Sequence, residues 1–121
     1  MSPAPRTPAE AAEEQLQAYN AHDVERFVAA YSPDVECFDL PACAPYLVGR
    51  AALAERYTAF FAAEPAIHCR VVHRAVEGAF VIDQEELTGR RDGRTGSCFA
   101  IYQVEQGLIR RVWFAKGAPP R

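Results

Sequence analysis

The stretch IHCRVVHRAVEGAFVIDQEELTG, residues 67–89, decides the fold, because apolar and polar side chains alternate along both of its halves. A period of two is typical of β-strands that bury one face and expose the other. Glu77-Gly78 separates the halves and favours a turn. We therefore expect a β-hairpin with strands at 67–76 and 79–89.

The remainder of the chain after this hairpin continues the same pattern. Residues 90–96, RRDGRTG, place Asp92-Gly93 where a tight hairpin needs a positive φ angle. Residues 97–107 and 108–115 then predict a third and a fourth strand. The second half of the chain is thus predicted to be a meander of four antiparallel strands.

The first half of the chain has helical periodicity instead. Ala12, Leu16 and Tyr19 recur at i, i+4 and i+7, which predicts an amphipathic helix from Pro8 to near Asn20. Asp23 is a good N-cap for a short second helix that ends at Pro33. The predicted apolar face of this helix consists of Val24, Phe27, Val28 and Tyr31. A third helix is predicted by the apolar stripe Leu53, Tyr57, Phe60 and Phe61, ended by Pro65.

Between the second and third helices, VECFDL (35–40) predicts one more strand, followed by an irregular loop at Pro41–Gly49. Val35, Cys37 and Asp39 share one face of this strand, so a carboxylate stands in line with two small apolar side chains. The order α-α-β-α-β-β-β-β indicates an α+β fold, a cone-shaped barrel in which a strongly curved mixed or antiparallel sheet wraps around three helices. Such a sheet leaves a conical cavity.

Length and charge limit the alternatives. With 121 residues, we expect one domain at 8–115 between a disordered N-terminal tail (1–7) and a C-terminal tail (116–121). The net charge of -3 offers no basic stripe for nucleic acid, and no long apolar run or export signal is present, which predicts a cytoplasmic protein that binds no membrane. The cysteines and histidines lack metal-ligand spacing, so we expect reduced thiols, no metal and no cofactor.

The run QAYNAHDVERFVAAYSPDVECFDL, followed by GRAALAERY and the ending YQVEQGLIRRVWF, resembles the nuclear transport factor 2-like superfamily. That superfamily includes ketosteroid isomerases, scytalone dehydratases, limonene epoxide hydrolases and SnoaL-like polyketide cyclases. The resemblance covers about residues 8–115 and implies the cone-shaped fold. Because this fold hosts several reactions as well as plain binding modules, it leaves the function open.

Laid on the ketosteroid isomerase pattern, Asp39 falls where that family keeps its general base. His73 is predicted on the apolar side of its strand, where it would be a second acid or base facing Asp39. Gln15 and Ala100 stand where ketosteroid isomerases keep their oxyanion donors, so the isomerase oxyanion hole is missing. The donors would instead have to be Gln15 itself, Tyr19 or Tyr102.

The segment DQEE, residues 83–86, puts two polar side chains on each face of a strand. Either Asp83 with Glu85 or Gln84 with Glu86 faces the cavity. Paired carboxylates there could share a proton and act as acid and base, or arginines of neighbouring strands could simply pair with them. The candidates for these pairs are Arg70, Arg74, Arg110 and Arg111.

An Asp-Arg-Asp trio of the epoxide hydrolase kind would need Asp39, Arg74 and Asp83, but alternation turns Arg74 away from the face of His73. The remaining predicted substrate-binding residues are Tyr57, Phe60, Glu85 and Trp113. The hairpin arginines Arg90, Arg91 and Arg94 are interpreted as solvated.

Two functions remain open. The first is a metal-free isomerase, cyclase or lyase that moves a proton on a small hydrophobic carbonyl compound. The second is a non-catalytic small-molecule-binding or accessory module. The strand face with Phe99 and Ile101 is apolar, which predicts a homodimer formed through the sheet.

Overall fold

The computed structural model describes residues 4–117. The helices are α1 (Pro8–Asn20), α2 (Val24–Ala29) and α3 (Arg50–Ala63). The strands are β1 (Tyr31–Asp39), β2 (Leu47–Val48), β3 (His68–Glu77), β4 (Phe80–Thr88), β5 (Gly96–Glu105) and β6 (Leu108–Lys116). The predicted order of elements is confirmed, and the short β2 is added within the segment expected to be an irregular loop. The ends of both predicted tails, residues 1–3 and 118–121, lie outside the described residues.

The strands form one mixed sheet in the order β2-β1-β6-β5-β4-β3. β1 runs parallel to β6, and every other neighbouring pair is antiparallel. One row of paired residues, Val81, Tyr102, Val112 and Cys37, crosses four strands and is buried against the helices. The core therefore lies between this inner face of the sheet and the three helices, as expected for the α+β cone.

Local contacts fix where the helices begin and how α1 joins the sheet. Thr7 and Glu10 form a reciprocal capping box at the start of α1, and Asp23 accepts a hydrogen bond from the Arg26 N–H at the start of α2. At the other end of α1, the Asn20 amide pairs with the backbone N–H and C=O of Cys69 at 2.8 and 2.9 Å. None of the helices described in residues 4–117 is long and apolar enough to cross a membrane.

The second helix is shorter than the sequence predicts. It ends at Ala29, and Tyr31, expected on its apolar face, begins β1 instead. Tyr31 is still buried, with its ring 5.0 Å from that of Phe27. Pro33 lies inside β1, in the interval where the pairing of β1 with β6 shifts register, so its missing N–H breaks no regular ladder.

A β-bulge in β3 reverses the predicted faces of this strand. Val71 pairs with Glu85, but His73 pairs with Gln84, so Val72 is an extra residue on β3. Every side chain after a bulge changes face. The prediction that His73 faces the interior is therefore wrong, and His73 is exposed on the outer face.

The same bulge brings Arg74 to the inner face, against the sequence prediction that it points away. Its Nε and Nη2 donate to the two carboxylate oxygens of Asp83 at 2.7 and 3.0 Å, and its Nη1 donates to Glu13 at 3.0 Å. Asp83 is 0% exposed. A fully buried carboxylate is thus matched by a bidentate guanidinium.

We expect Arg74→Ala to lower the free energy of unfolding by about 3 to 5 kcal/mol, because it leaves the buried Asp83 charge without its partner. Arg70→Ala is the matched control, because Arg70 pairs with Glu86 across the same two strands on the exposed side. That pair should be worth less than about 1 kcal/mol. Urea unfolding measures the free energy of unfolding of both variants. Equal losses of this free energy would contradict the structural role of Arg74.

Candidate active site

A cavity of about 600 Å³ lies between the inner face of the sheet and the helices α1 and α3. Its mouth is at the sheet end where β4 and β6 finish, since the exposed β4–β5 hairpin and Lys116 line it. The aromatic side chains on its walls include Tyr19, Tyr31, Tyr57, Phe60, Tyr102 and Phe114. A space of this size and lining fits a small hydrophobic molecule.

Glu85 is a buried carboxylate on the cavity wall. It is 6% exposed, and Tyr102 Oη donates to its Oε2 at 3.2 Å while Cys98 Sγ lies 3.6 Å from Oε1. Burial, reinforced by the nearby charge of Asp83, raises the pKa of Glu85 to about 7. Near neutral pH this carboxyl group can therefore accept or donate a proton.

The tyrosine hydroxyls and the Cys98 thiol on the wall are neutral. Burial raises the pKa of Tyr19, Tyr57 and Tyr102, so their hydroxyls stay protonated and can donate hydrogen bonds. Burial also raises the pKa of the Cys98 thiol to about 12, so this cysteine is a neutral partner of Glu85.

Gln15, on α1, lines the cavity and is 4% exposed. Its amide nitrogen donates to the Ala12 carbonyl at 3.1 Å, and its carbonyl accepts from the Tyr31 hydroxyl at 3.4 Å. The side chain is thus held in one orientation. One amide N–H already has a partner in α1, and the second is the donor that Gln15 can offer to a ligand.

The structure brings together six of the nine predicted site residues: Gln15, Tyr19, Tyr57, Phe60, Glu85 and Tyr102. Trp113 is not among them, because it lies on the outer face of β6 and stacks on Phe38 with ring centroids 5.4 Å apart. The prediction that Trp113 lines the cavity is therefore wrong. His73 is on the outer face as well, so it does not face Asp39.

Asp39 occupies the inner face of β1, in the row that contains Phe114, Ala100 and Asp83. Its side chain is 47% exposed and makes an ionic contact at 3.3 Å with Lys116. It stands at the end of the sheet near the mouth and does not belong to the cavity lining. The role of Asp39 as a general base stays a prediction.

Sequence reasoning missed four cationic residues that line the cavity: Arg56, Arg90, Arg94 and Lys116. Their spacing carries no periodic signal, because they come from α3, the hairpin and the end of β6. The choice within DQEE is settled, since Asp83 and Glu85 face inward, while Glu86 pairs with Arg70 on the other side. Arginine pairing also occurs on the inner face, through Arg74.

The raised pKa of Glu85 makes stability depend on pH. Between pH 4.5 and about 7 the folded carboxyl group keeps a proton that the unfolded chain has lost, so stability falls as pH rises through this window and levels off above it. The difference in pKa corresponds to about 3 kcal/mol. We expect Glu85→Gln to flatten this decline and to raise the free energy of unfolding at pH 8.

Urea unfolding between pH 4.5 and 8 measures this effect. Glu86→Gln is the control, because Glu86 is the neighbouring glutamate on the exposed face. It should leave the pH profile of the wild type intact. A wild-type profile that rises across the window, or a Glu85→Gln profile that still falls, would contradict a buried carboxyl with a raised pKa.

Comparison with known proteins supports the fold. The model of the SnoaL-like domain family matches residues 12–112. No curated protein matches the chain. An uncharacterised cystatin-fold protein from Novosphingobium aromaticivorans is 24% identical, with a TM-score of 0.82 over 90% of this chain and 97% of that one.

Two further solved structures carry functional names. A proposed ketosteroid isomerase from Kribbella flavida is 20% identical, with a TM-score of 0.79 over 94% of this chain and 80% of its own. A proposed polyketide cyclase from Sinorhizobium meliloti is 17% identical, with a TM-score of 0.75 over 86% of this chain and 92% of that one. These likenesses show the fold alone. Because the family model spans most of the sequence, the chain belongs to the SnoaL-like domain family.

Proposed function

We propose that this SnoaL-like domain is a proton-transfer enzyme that acts on a small hydrophobic carbonyl compound, with Glu85 as its acid-base group. One observation, the state of the Glu85 carboxyl group, carries the proposal. A carboxyl group whose pKa is raised to about 7 lies on the wall of an apolar cavity, with Tyr102 donating to it.

The proposed chemistry starts with the ionised form of Glu85. It removes a proton from the carbon next to the substrate carbonyl, and the electron pair of the broken C–H bond moves to the carbonyl oxygen to form an enolate. The neutral hydroxyls of Tyr19 and Tyr57 line the same cavity and, with the second amide N–H of Gln15, can donate to that oxygen. When the substrate also has a β,γ double bond, this enolate is a conjugated dienolate. Protonated Glu85 then returns the proton to the γ-carbon, the double bond moves to the α,β position, and the isomerisation is complete.

The same enolate could instead attack a second carbonyl of the substrate and close a ring, after which the new alkoxide takes the proton from Glu85. Both routes leave the enzyme in its starting protonation state. Two of the structural relatives are named as a proposed ketosteroid isomerase and a proposed polyketide cyclase, and proton transfer beside a carbonyl fits both names.

The resemblance to ketosteroid isomerases nominates Asp39 as the base, whereas the geometry favours Glu85. Glu85 is 6% exposed and lines the cavity. The Asp39 side chain is 47% exposed and paired with Lys116. A base is more effective when an apolar site brings its pKa close to the working pH, which favours the buried group.

We expect the wild type to catalyse hydrogen-deuterium exchange at the α-carbon of 2-tetralone, a small enolisable ketone, in heavy water. Glu85→Gln should reduce this catalysis by about 100-fold or more, because the base is removed. The rate should rise with pH up to about 7 and then level off, since the ionised carboxylate is the active form. Proton NMR follows the loss of the α-proton signal.

Glu86→Gln, on the outer face, is the matched control and should exchange like the wild type. Equal exchange by Glu85→Gln and wild type would reject Glu85 as the base. If Asp39→Asn loses more of the exchange rate than Glu85→Gln does, Asp39 on β1 is the base. Binding of 2-tetralone without any exchange by the wild type would favour a binding module.

We also propose that the chain forms a homodimer through the outer face of the sheet. Phe80, Ile82 and Phe99 are each 40% exposed or more on the described chain. Ile82 is in one row with Ile101 and Trp113, so the apolar surface is continuous across three strands.

Sedimentation at micromolar concentration should therefore give the mass of a dimer, and Phe99→Lys should give that of a monomer, because it places a charge within this surface. Val76→Lys is the control, since Val76 is similarly exposed but pairs with the inner-face residue Val81. A monomer mass for the wild type would contradict the proposal.

A further inference from the structure

The mouth of the cavity is positively charged, although the chain as a whole carries a net charge of -3. Four cationic side chains belong to the cavity lining there: Arg56, Arg90, Arg94 and Lys116. They come from three separate elements, so their convergence is a property of the folded chain. Charge of one sign around a low-dielectric cavity concentrates ligands of the opposite sign.

Acidic neighbours compensate only half of this charge. Asp92 lies 3.8 Å from Arg90, and Asp39 lies 3.3 Å from Lys116. Among the described residues, the guanidinium groups of Arg56 and Arg94 have no ion pair, so two positive charges are in excess at the mouth. An unpaired guanidinium keeps its planar fork of N–H donors available for a carboxylate.

Arg56 is also held in place. Its guanidinium carbon lies 4.9 Å from the centre of the Tyr46 ring, and both residues line the cavity. Stacking on an aromatic ring restrains the position of a guanidinium without using its in-plane donors. This contact therefore presents Arg56 at the mouth.

The register of the sheet relates this charge to the proposed acid-base group. Glu85 pairs with Cys98, and Cys98 pairs with Lys116, so the three residues share one inner row across β4, β5 and β6. Neighbouring strands are about 4.8 Å apart, which separates the backbones of Glu85 and Lys116 by roughly 10 Å. Because Lys116 lies at the mouth, this is the order of the distance from Glu85 to the mouth, and a bicyclic molecule with a polar group at each end can span it.

We propose that the substrate is a carboxylate: an apolar ring system that places its enolisable carbon beside Glu85 and its anionic group at Arg56 and Arg94. This inference rests on the proposed function and adds the class of substrate. The aromatic walls take the rings, and the guanidinium groups fix which end enters first. The cavity thus holds its ligand in one direction.

The test compares three ligands that differ at one position: 2-tetralone, its 6-carboxylate and its 6-carboxamide. Calorimetry gives their affinities, and the exchange of the α-proton gives their turnover. We expect the acid to bind the wild type at least about tenfold more tightly than the amide. This preference should shrink as the ionic strength rises from about 0.01 to about 1 M, because the screening length falls from about 30 to about 3 Å.

The double variant Arg56→Gln/Arg94→Gln should bind the acid and the amide with nearly equal affinity. The double variant Arg56→Lys/Arg94→Lys should keep part of the preference for the acid, because it keeps the positive charges. Arg91→Gln is the matched control. Arg91 belongs to the same hairpin but is absent from the cavity lining, and its contact to Glu64 is made by the backbone N–H. It should keep the wild-type ratio.

The outcomes separate this inference from the proposed function. Equal affinity of the wild type for acid and amide, with 2-tetralone still exchanged, would overturn the carboxylate class and leave the proton-transfer proposal standing. A preference for the acid that survives the double glutamine variant would overturn the assignment to Arg56 and Arg94. Preference for the acid without exchange of any ligand would support the anion site and reject the enzyme.

Discussion

The ion pair between Arg74 and Asp83 is the contact on which the interior of this protein depends. Asp83 is 0% exposed, and such a charge is tolerated inside a protein only when a partner with good geometry compensates it. Arg74 reaches it because the bulge at Val72 turns the rest of β3 over. The negative charge of Asp83, after burial itself, is what raises the pKa of Glu85. One extra residue in an edge strand thus contributes to the acid-base character of the cavity.

Much of the fold follows from sequence, because helices and strands are set by local periodicity. The helix from Pro8 to Asn20 and the four-strand meander are where the periods of apolar residues place them. The predicted faces of β3 beyond Val71 are wrong for a physical reason. Alternation counts residues, and it cannot reveal that one of them is extra and unpaired. The prediction that Tyr31 lies on the second helix is wrong because a large apolar residue suits the end of a helix as well as the start of a strand.

The sequence predicts only some of the residues that line the cavity. The segment DQEE predicts that two polar side chains face the interior, either Asp83 with Glu85 or Gln84 with Glu86. The packing of the helices decides which pair it is. Aromatic residues at helical spacing, such as Tyr19 and Tyr57, are predictable because a cavity under a curved sheet is lined by the same apolar stripes that form a core. The cationic residues at the mouth of the cavity are not predictable in this way. They converge only when hairpin, helix and strand end are folded together, and no spacing along the chain encodes that.

Glu85 reduces the stability of the fold at neutral pH, and this cost is an argument for its function. Keeping an acid whose pKa is about 7 costs up to about 3 kcal/mol above that pH, compared with the same carboxyl in water. A glutamine or leucine at this position on the inner face would avoid that cost. The Tyr102 hydroxyl favours the ionised form and so limits the rise in pKa, leaving the group poised instead of permanently protonated. A purely structural core has no use for a poised proton, whereas an acid-base catalyst does.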